Sequence, residues 1–277
     1  MTTAAAVNDF ERTRAAVLDA GRIAMRHFRQ PHESWEKGPG QLVTEADIEV
    51  DRFLKQALCP PTDDAAWLSE EAEDDPARLT RRRVWIVDPI DGTRSFADGV
   101  AEFAICVALL DAGELELGFV YNPATEEMFE AARGRGATRN GAAIRASGVA
   151  RLDEAHIVAG RFESRRREFK ALIPTAALSY LGSLAYKLAL VAAGRYDGYL
   201  SWRRTNDWDI AAAALVLAES GAVITDAGGG AIRLNQPEPT HSGILAATAA
   251  LHPQLLVATA GANAAYRADR RARGLPA

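Results

Sequence analysis

Along the chain, hydrophobic and polar positions alternate at two different periods, and the changes between them mark out the elements. From about Asp9 to Phe28, charged residues such as Asp9, Glu11, Arg12 and Arg14 interrupt the apolar ones, which predicts an amphipathic helix. A polar stretch follows from Arg29 to Gln41, with Pro31, Gly38, Pro39 and Gly40, and it reads as a mobile loop or turn. A second helix is expected from Thr44, with Ile48, Phe53, Leu54 and Leu58 on one side and a stop at Pro60-Pro61. Ala66-Trp67-Leu68 is then a short strand ending in Ser69-Glu70-Glu71. Val84 to Asp88 is a second strand, ending in Asp88-Pro89-Ile90-Asp91-Gly92-Thr93. Glu102 to Arg145 reads as an antiparallel meander, turning at Asp111-Ala112-Gly113, Asn122-Pro123 and Asn140-Gly141.

Beyond about residue 150 the pattern becomes alternating strands and helices. Strands are expected at Ala155 to Ala159, Ala177 to Leu181, Tyr196 to Trp202, Ala222 to Thr225 and Ile244 to Ala247. Helices are expected at Glu163 to Leu172, Ser183 to Ala193 and Asp207 to Ser220, with a final helix after the last strand. The fold class is therefore α/β with α+β layering. It divides into an N-terminal half, residues 1–145, which carries the antiparallel sheet and the acidic turn, and a C-terminal α/β half, residues 146–277.

Composition narrows the function classes. The 277 residues are 48% hydrophobic and 25% charged, enough for a large core. With 32 Lys and Arg against 37 Asp and Glu, the net charge is -5, and the short clusters Arg81 to Arg83 and Arg165 to Arg167 read as solvated faces, so no nucleic-acid partner is expected. Cys59 and Cys106 both lie in apolar surroundings, which argues for a reducing, cytoplasmic location. The charged N-terminal segment is neither a signal peptide nor a membrane span, so no membrane partner is expected either.

Candidate chemistry concentrates at strand ends. Pro89 has no backbone N–H and Gly92 permits close approach, so Asp88 and Asp91 can point into one small volume. Two carboxylates held that close repel each other unless a cation lies between them, and hard oxygen ligands suit Mg²⁺ or Mn²⁺. Three further segments carry acids: Val43-Thr44-Glu45-Ala46-Asp47, Ser69-Glu70-Glu71 and Trp208-Asp209-Ile210-Ala211-Ala212. Plainer readings stand beside the functional ones. Thr44 to Asp47 matches a capping box, Glu71 to Asp75 an acidic solvated loop, and Asp209 a first-turn acid facing the helix dipole. The five histidines lack ligand spacing, and no Ser-His-Asp set, Walker loop or dinucleotide fingerprint is evident.

Taken in order and spacing, the four acidic segments resemble the inositol monophosphatase family. The resemblance spans roughly residues 10 to 250 and includes the Gly182-Ser183 helix start and the Glu219-Ser220-Gly221-Ala222 turn. It implies an αβαβα sandwich, often a homodimer, that hydrolyses small phosphorylated metabolites with two or three Mg²⁺ ions, with Mn²⁺ as a possible substitute, and is commonly inhibited by lithium. By carry-over, Glu70, Asp88 and the Ile90 carbonyl would hold one metal, and Asp88, Asp91 and Asp209 a second. Thr93, partnered by Asp47 and supported by Glu70, would orient the attacking water, and the amides of Gly92 and Thr93 would bind phosphate oxygens, with Ser183 close by.

The resemblance thins at the substrate side. Members acting on inositol phosphate typically carry a glutamate seven residues before the last metal-binding Asp, where this chain has Trp202. Arg203, Arg204, Thr205 and Asn206 would suit a second phosphate or a base, and Arg94 points the same way, as in the bacterial branch acting on adenosine 3′,5′-bisphosphate. The alternative is that Trp202 packs in the core and the arginines face solvent. Inositol monophosphate and the bisphosphate nucleotide are therefore both expected candidates. The rival from another class is a catalytically silent metal-binding or dimerisation subunit.

Overall fold

The structure is a computed structural model and describes residues 4–30, 33–38, 41–60, 63–161, 173 and 175–274. Helix α1 (Ala4–His27) leads into a hairpin of β1 (Ser34–Gly38) and β2 (Gln41–Thr44), followed by α2 (Glu45–Leu58). The stretch Arg29 to Gln41, expected to be a mobile loop or turn, thus contains β1 and the first residue of β2, with Ser34 opposite Thr44 and Trp35 opposite Val43. Of its Gly and Pro residues, read as loop punctuation, Pro31, Pro39 and Gly40 lie outside the described residues. The helix expected over Glu163 to Leu172, with its Arg165 to Arg167 cluster, also lies outside them.

Seven strands form the larger sheet: β3 (Ala66–Ser69), β4 (Arg83–Asp91), β5 (Ala104–Asp111), β6 (Glu114–Asn122), β7 (Glu127–Ala132), β8 (Ala137–Arg139) and β9 (Ala142–Ile144). They lie in sequence order, with β3 parallel to β4 and each later neighbour antiparallel. The smaller sheet takes β10 (His156–Gly160), β11 (Ala177–Leu181), β12 (Gly198–Asn206), β13 (Ala222–Asp226) and β14 (Thr240–Thr248), in the order β11-β10-β12-β14-β13. A short helix α3 (Thr93–Ala97) follows β4, while α4 (Leu184–Ala192), α5 (Asp207–Ser220) and α6 (His252–Ala272) belong to the second half.

Side-chain alternation on β4 explains the layering. Trp85 and Val87 face one core with Val17, Ala20, Ala24, Val50 and Leu54 of α1 and α2, whereas Val84 and Ile86 face a second core with α4 and α5. A strand covered on both faces reads as an unbroken apolar run, as Val84 to Val87 does. Helix α5 is held between the two sheets and is apolar all round, with Ile210 to Leu217 buried without interruption. On the outer side of the small sheet, Ile157, Leu200, Leu245 and Ala247 pack against Leu251 and Leu255 at the start of α6. The order is α1 and α2, large sheet, α4 and α5, small sheet, α6: the αβαβα sandwich expected. Among the described residues, no helix is long and apolar enough to cross a membrane.

The central layer is close to the sheet because Gly118 on β6 has no side chain. A Cβ there would lie 2.5 Å from the Ala212 carbonyl oxygen of α5 and 3.2 Å from the Leu215 Cβ. Gly118→Ala must push α5 away from the sheet, an overpacking cost of about 1–3 kcal/mol. A thermal melt is expected to show a midpoint lower by roughly 5 °C. An unchanged midpoint would mean that this contact yields freely.

Candidate metal centre and phosphate-binding turn

Strand β4 does not end before Pro89, as a simple ladder argument expects; it runs through to Asp91 with a bulge. Asp88 pairs with Cys106 and Asp91 with Ala104, so β4 spends three residue steps where β5 spends two. In a regular strand, residues three apart point to opposite faces. The extra residue reverses that parity, and both carboxylates turn to the face of Cys106 and Ala104, toward the central helices. Ile90, between them, goes the other way into the α1 and α2 core. The Ile90 N–H donates to Asp88 Oδ1 at 3.0 Å, and the Pro89 ring sits where no ladder donor is required.

After the bulge the chain turns at Gly92, whose φ is 97° and whose missing Cβ would lie 2.8 Å from the Glu102 carbonyl oxygen. That turn opens α3 at Thr93, and the Thr93 hydroxyl lies 3.2 Å from Asp47 Oδ1 and 3.1 Å from the Ile90 carbonyl oxygen. Asp91 is held from the second half of the chain: its Oδ2 accepts from the Ser183 hydroxyl at 2.5 Å and the Ala185 N–H at 2.6 Å, at the N-terminus of α4. Ser183, expected near the phosphate, gives its proton to Asp91 and accepts the Tyr186 N–H at 3.1 Å. It orients a carboxylate.

Asp47 and Asp209 are delivered by one device. Each is the third residue of its helix, and one oxygen reaches back to the capping residue: Asp47 Oδ2 accepts the Thr44 N–H at 2.8 Å, and Asp209 Oδ2 the Asn206 N–H at 2.7 Å. The capping and functional readings of these acids therefore coexist, since one oxygen is tied and the carboxylate is aimed. Glu70 follows the end of β3, where its N–H donates to the Val87 carbonyl at 3.3 Å and places it beside Asp88.

Carboxylate oxygens of Asp88, Asp91 and Asp209 all lie within 4.8 Å of one another. Glu70 stands outside that group of three but within its field. Burial, then the charges of Glu70, Asp91 and Asp209, hold the Asp88 carboxyl well above its usual range. Burial and then Asp91 push Asp209 up to about 7, and burial followed by Asp209 pushes Glu70 up to about 8, with the Lys37 ammonium opposing. Asp91 is raised by burial against the Ser183 hydrogen bond and the Lys187 charge, and Asp47 reaches about 6, burial outweighing its Thr44 hydrogen bonds. Beneath the cluster, the buried Cys106 thiol is pushed up by burial and by Asp91 and Asp88. Asp88 Oδ2 is buried with no hydrogen-bond partner. A lone carboxylate oxygen facing two other carboxylates fits a hard divalent cation, since no protein donor supplies the missing positive charge.

Residues 7–264 match the model of the inositol monophosphatase family. The chain belongs to this family. It is 37% identical over 226 residues to an inositol-1-monophosphatase of Rhizobium meliloti, covering 78% of this chain and 84% of that one. It is 35% identical over 212 residues to a fructose-1,6-bisphosphatase/inositol-1-monophosphatase of Thermotoga maritima, covering 76% and 81%. A crystal structure of the suhB protein of Bartonella henselae superposes with a TM-score of 0.79 at 29% identity, over 90% of this chain and 96% of that one. Inositol monophosphatases are metal-dependent phosphatases acting on small phosphate substrates, and the buried aspartate cluster here can hold a metal ion.

On the substrate side, the structure shows what two of the expected residues touch. Trp202 is 6% exposed and lies in the outer core of the small sheet, its ring 6.3 Å from that of Tyr266 and packed with Ala227 and Leu245. Arg204 is bound locally, donating to the Thr240 hydroxyl at 2.7 Å and facing Glu238 at 3.4 Å. Both are engaged in these contacts; Arg203 and Arg94 are exposed, and the Arg203 charge lowers the proton affinity of Asp209. Two residues that the sequence reading passed over stand closer. Lys37 on β1 donates to Glu71 Oε1 at 2.6 Å and to the Glu70 carbonyl at 3.2 Å, a contact from the hairpin to the end of β3 that no local pattern signals. Lys187 donates to the Leu181 and Gly182 carbonyls, both at 3.1 Å, just before Ser183. A single cation in the otherwise apolar run Leu184 to Ala192 was its available signal.

Proposed function

We propose that this inositol monophosphatase family member hydrolyses the phosphate monoester of a small polyol, inositol monophosphate, using Mg²⁺ held by the aspartate cluster. The observation that carries this reading is the convergence of Asp88, Asp91 and Asp209, with Asp88 Oδ2 left without a donor. Glu70, Asp88 and the Ile90 carbonyl would hold one ion, and Asp88, Asp91 and Asp209 another. Bound there, the cations would supply the positive charge a phosphate dianion needs before water can approach it, and would acidify that water.

The protein's own groups complete the arrangement. The Thr93 oxygen accepts a hydrogen bond from the attacking water while its proton is donated to Asp47 Oδ1, which fixes the water's direction; Glu70 supports the same water. The N–H groups of Gly92 and Thr93, at the start of α3, bind phosphate oxygens, and Gly92 allows that approach because it carries no Cβ. Inositol monophosphate is favoured over adenosine 3′,5′-bisphosphate because Trp202 and Arg204, two of the residues expected on the nucleotide side, are engaged in other contacts. The names of the Rhizobium and Thermotoga relatives agree with that choice. The free thiols Cys59 and Cys106 support a cytoplasmic setting, and the homodimer rests on the family resemblance alone.

The test is inorganic phosphate release from inositol monophosphate and from adenosine 3′,5′-bisphosphate, with Mg²⁺ and with a chelator. Release from the inositol ester with kcat/KM at least about tenfold above that for the nucleotide, and lost on chelation, is expected. A reversed preference would return Arg204 to the substrate site. No release from any ester would favour a silent, metal-binding subunit.

A further inference from the structure

A second polar assembly joins the two halves of the chain behind the aspartates. Arg78 is 1% exposed, although it carries a full charge. Its Nε and Nη2 donate to the two carboxylate oxygens of Asp74 at 2.5 and 2.9 Å, its Nη1 to Asn235 Oδ1 at 2.6 Å and its Nη2 also to the Gln236 carbonyl at 3.0 Å. The Asn235 N–H in turn donates to Asp207 Oδ2 at 2.6 Å, and His241 Nε2 donates to Asp207 Oδ1 at 2.8 Å. Asp207 is fully buried, and its N–H donates to the Pro239 carbonyl at 2.9 Å. Asp74 lies four residues after Glu70, and Asp207 two residues before Asp209.

We propose that Arg78, Asn235 and Asp207 form a strut that holds the Glu70 segment against the Asp209 helix, so that the cation-binding carboxylates are assembled before the cation arrives. The physical need is clear from the charges. Without a cation, like charge on Glu70 and Asp209 opposes bringing their two segments together. The strut joins those two segments through hydrogen bonds between residues 157 and 158 positions apart. Apolar packing of similar volume generally stabilises a core as well as buried ion pairs do, so the distinct contribution of this network is fixed geometry. Arg78, Asn235 and Asp207 are positioning residues; none touches a substrate.

The proposal rests on the reading of the aspartates as a cation site, and the experiment separates the two. Mg²⁺ affinity is measured by calorimetry on the whole protein, alongside kcat at saturating Mg²⁺. Asn235→Gly removes the side-chain link to Arg78 while keeping the N–H to Asp207, and glycine suits the positive φ of 56° at this position. It is expected to weaken Mg²⁺ binding about tenfold, with kcat at saturating Mg²⁺ within about threefold of the unaltered protein. Asn235→Asp keeps an acceptor for Arg78 and is expected to retain affinity. Arg78→Met should match or exceed the loss in Asn235→Gly; should it not fold, the two Asn235 variants decide. A Mg²⁺ affinity in Asn235→Gly within twofold of the unaltered protein would overturn the strut alone. Absence of Mg²⁺ binding by the unaltered protein would overturn the cation site and the strut with it.

Discussion

Asp88→Asn is expected to abolish phosphate release, by at least about 1,000-fold or roughly 4 kcal/mol of barrier, while raising the melting temperature of the metal-free protein. The two effects have one cause. Asp88 lies at the centre of the cluster, with Glu70, Asp91 and Asp209 all raising its proton affinity and one oxygen left without a donor. Asparagine keeps an oxygen for the Ile90 N–H and turns an amide N–H₂ toward the neighbouring carboxylates, so a repulsive contact becomes an attractive one. The same change removes a charge that a divalent cation needs. Asp209→Asn should behave alike, because an asparagine oxygen can still accept the Asn206 N–H that caps α5. A residue whose role was only structural would lose stability and activity together. Turnover near that of the unaltered protein in either variant would remove these residues from the ligand set, and a lowered metal-free melting point would show that their charge is already compensated.

The acidic centre was legible because its residues fall where strands and helices begin or end, and those boundaries are written in local chemistry. Pro89 and Gly92 mark the turn, and Thr44 with Asp47 marks a helix start, while the grouping of these acids with Asp209 into one centre came from the family resemblance in their order and spacing. The bulge that aims Asp88 and Asp91 together was less visible, since residue type alone does not say whether a strand stops at a proline or steps around it. Trp202 was placed by position rather than by facing: it shares the outer side of β12 with Leu200, two residues earlier, as regular alternation gives without appeal to the bulge between Ser201 and Arg204. Counting back seven residues from Asp209 located the position but not its side of the sheet. Lys37 was hidden for a different reason: its partner Glu71 is brought to it by the fold, and exposed strands in a Gly- and Pro-rich stretch carry no hydrophobic alternation to announce them.

The metal-free protein is expected to become less stable as pH rises from about 4 to about 8, and a divalent cation should reverse that trend. In the unfolded chain, carboxyl groups ionise near pH 4. In the folded protein Asp47 holds its proton to about 6, Asp209 to about 7 and Glu70 to about 8, each chiefly because burial disfavours the charge. Through that window the folded state binds more protons than the unfolded one, so each rise in pH favours unfolding; below it both states are protonated and the contribution is fully present, and above it the loss is complete. Solvent access and shared protons moderate the sum, and a fall of about 5 °C or more between pH 5 and pH 8 in the presence of a chelator is expected. A cation replaces the missing protons. At a concentration 100 times its dissociation constant it would contribute about 2.7 kcal/mol, enough to recover most of that loss at pH 8 and little at pH 5, where protons compete for the same oxygens. Thermal melts across pH with chelator and with Mg²⁺ check both halves, and Asp88→Asn should flatten the chelator curve. A metal-free midpoint that stays level or rises over this window would mean that the aspartates are not the charged, mutually repelling set from which the cation site is inferred.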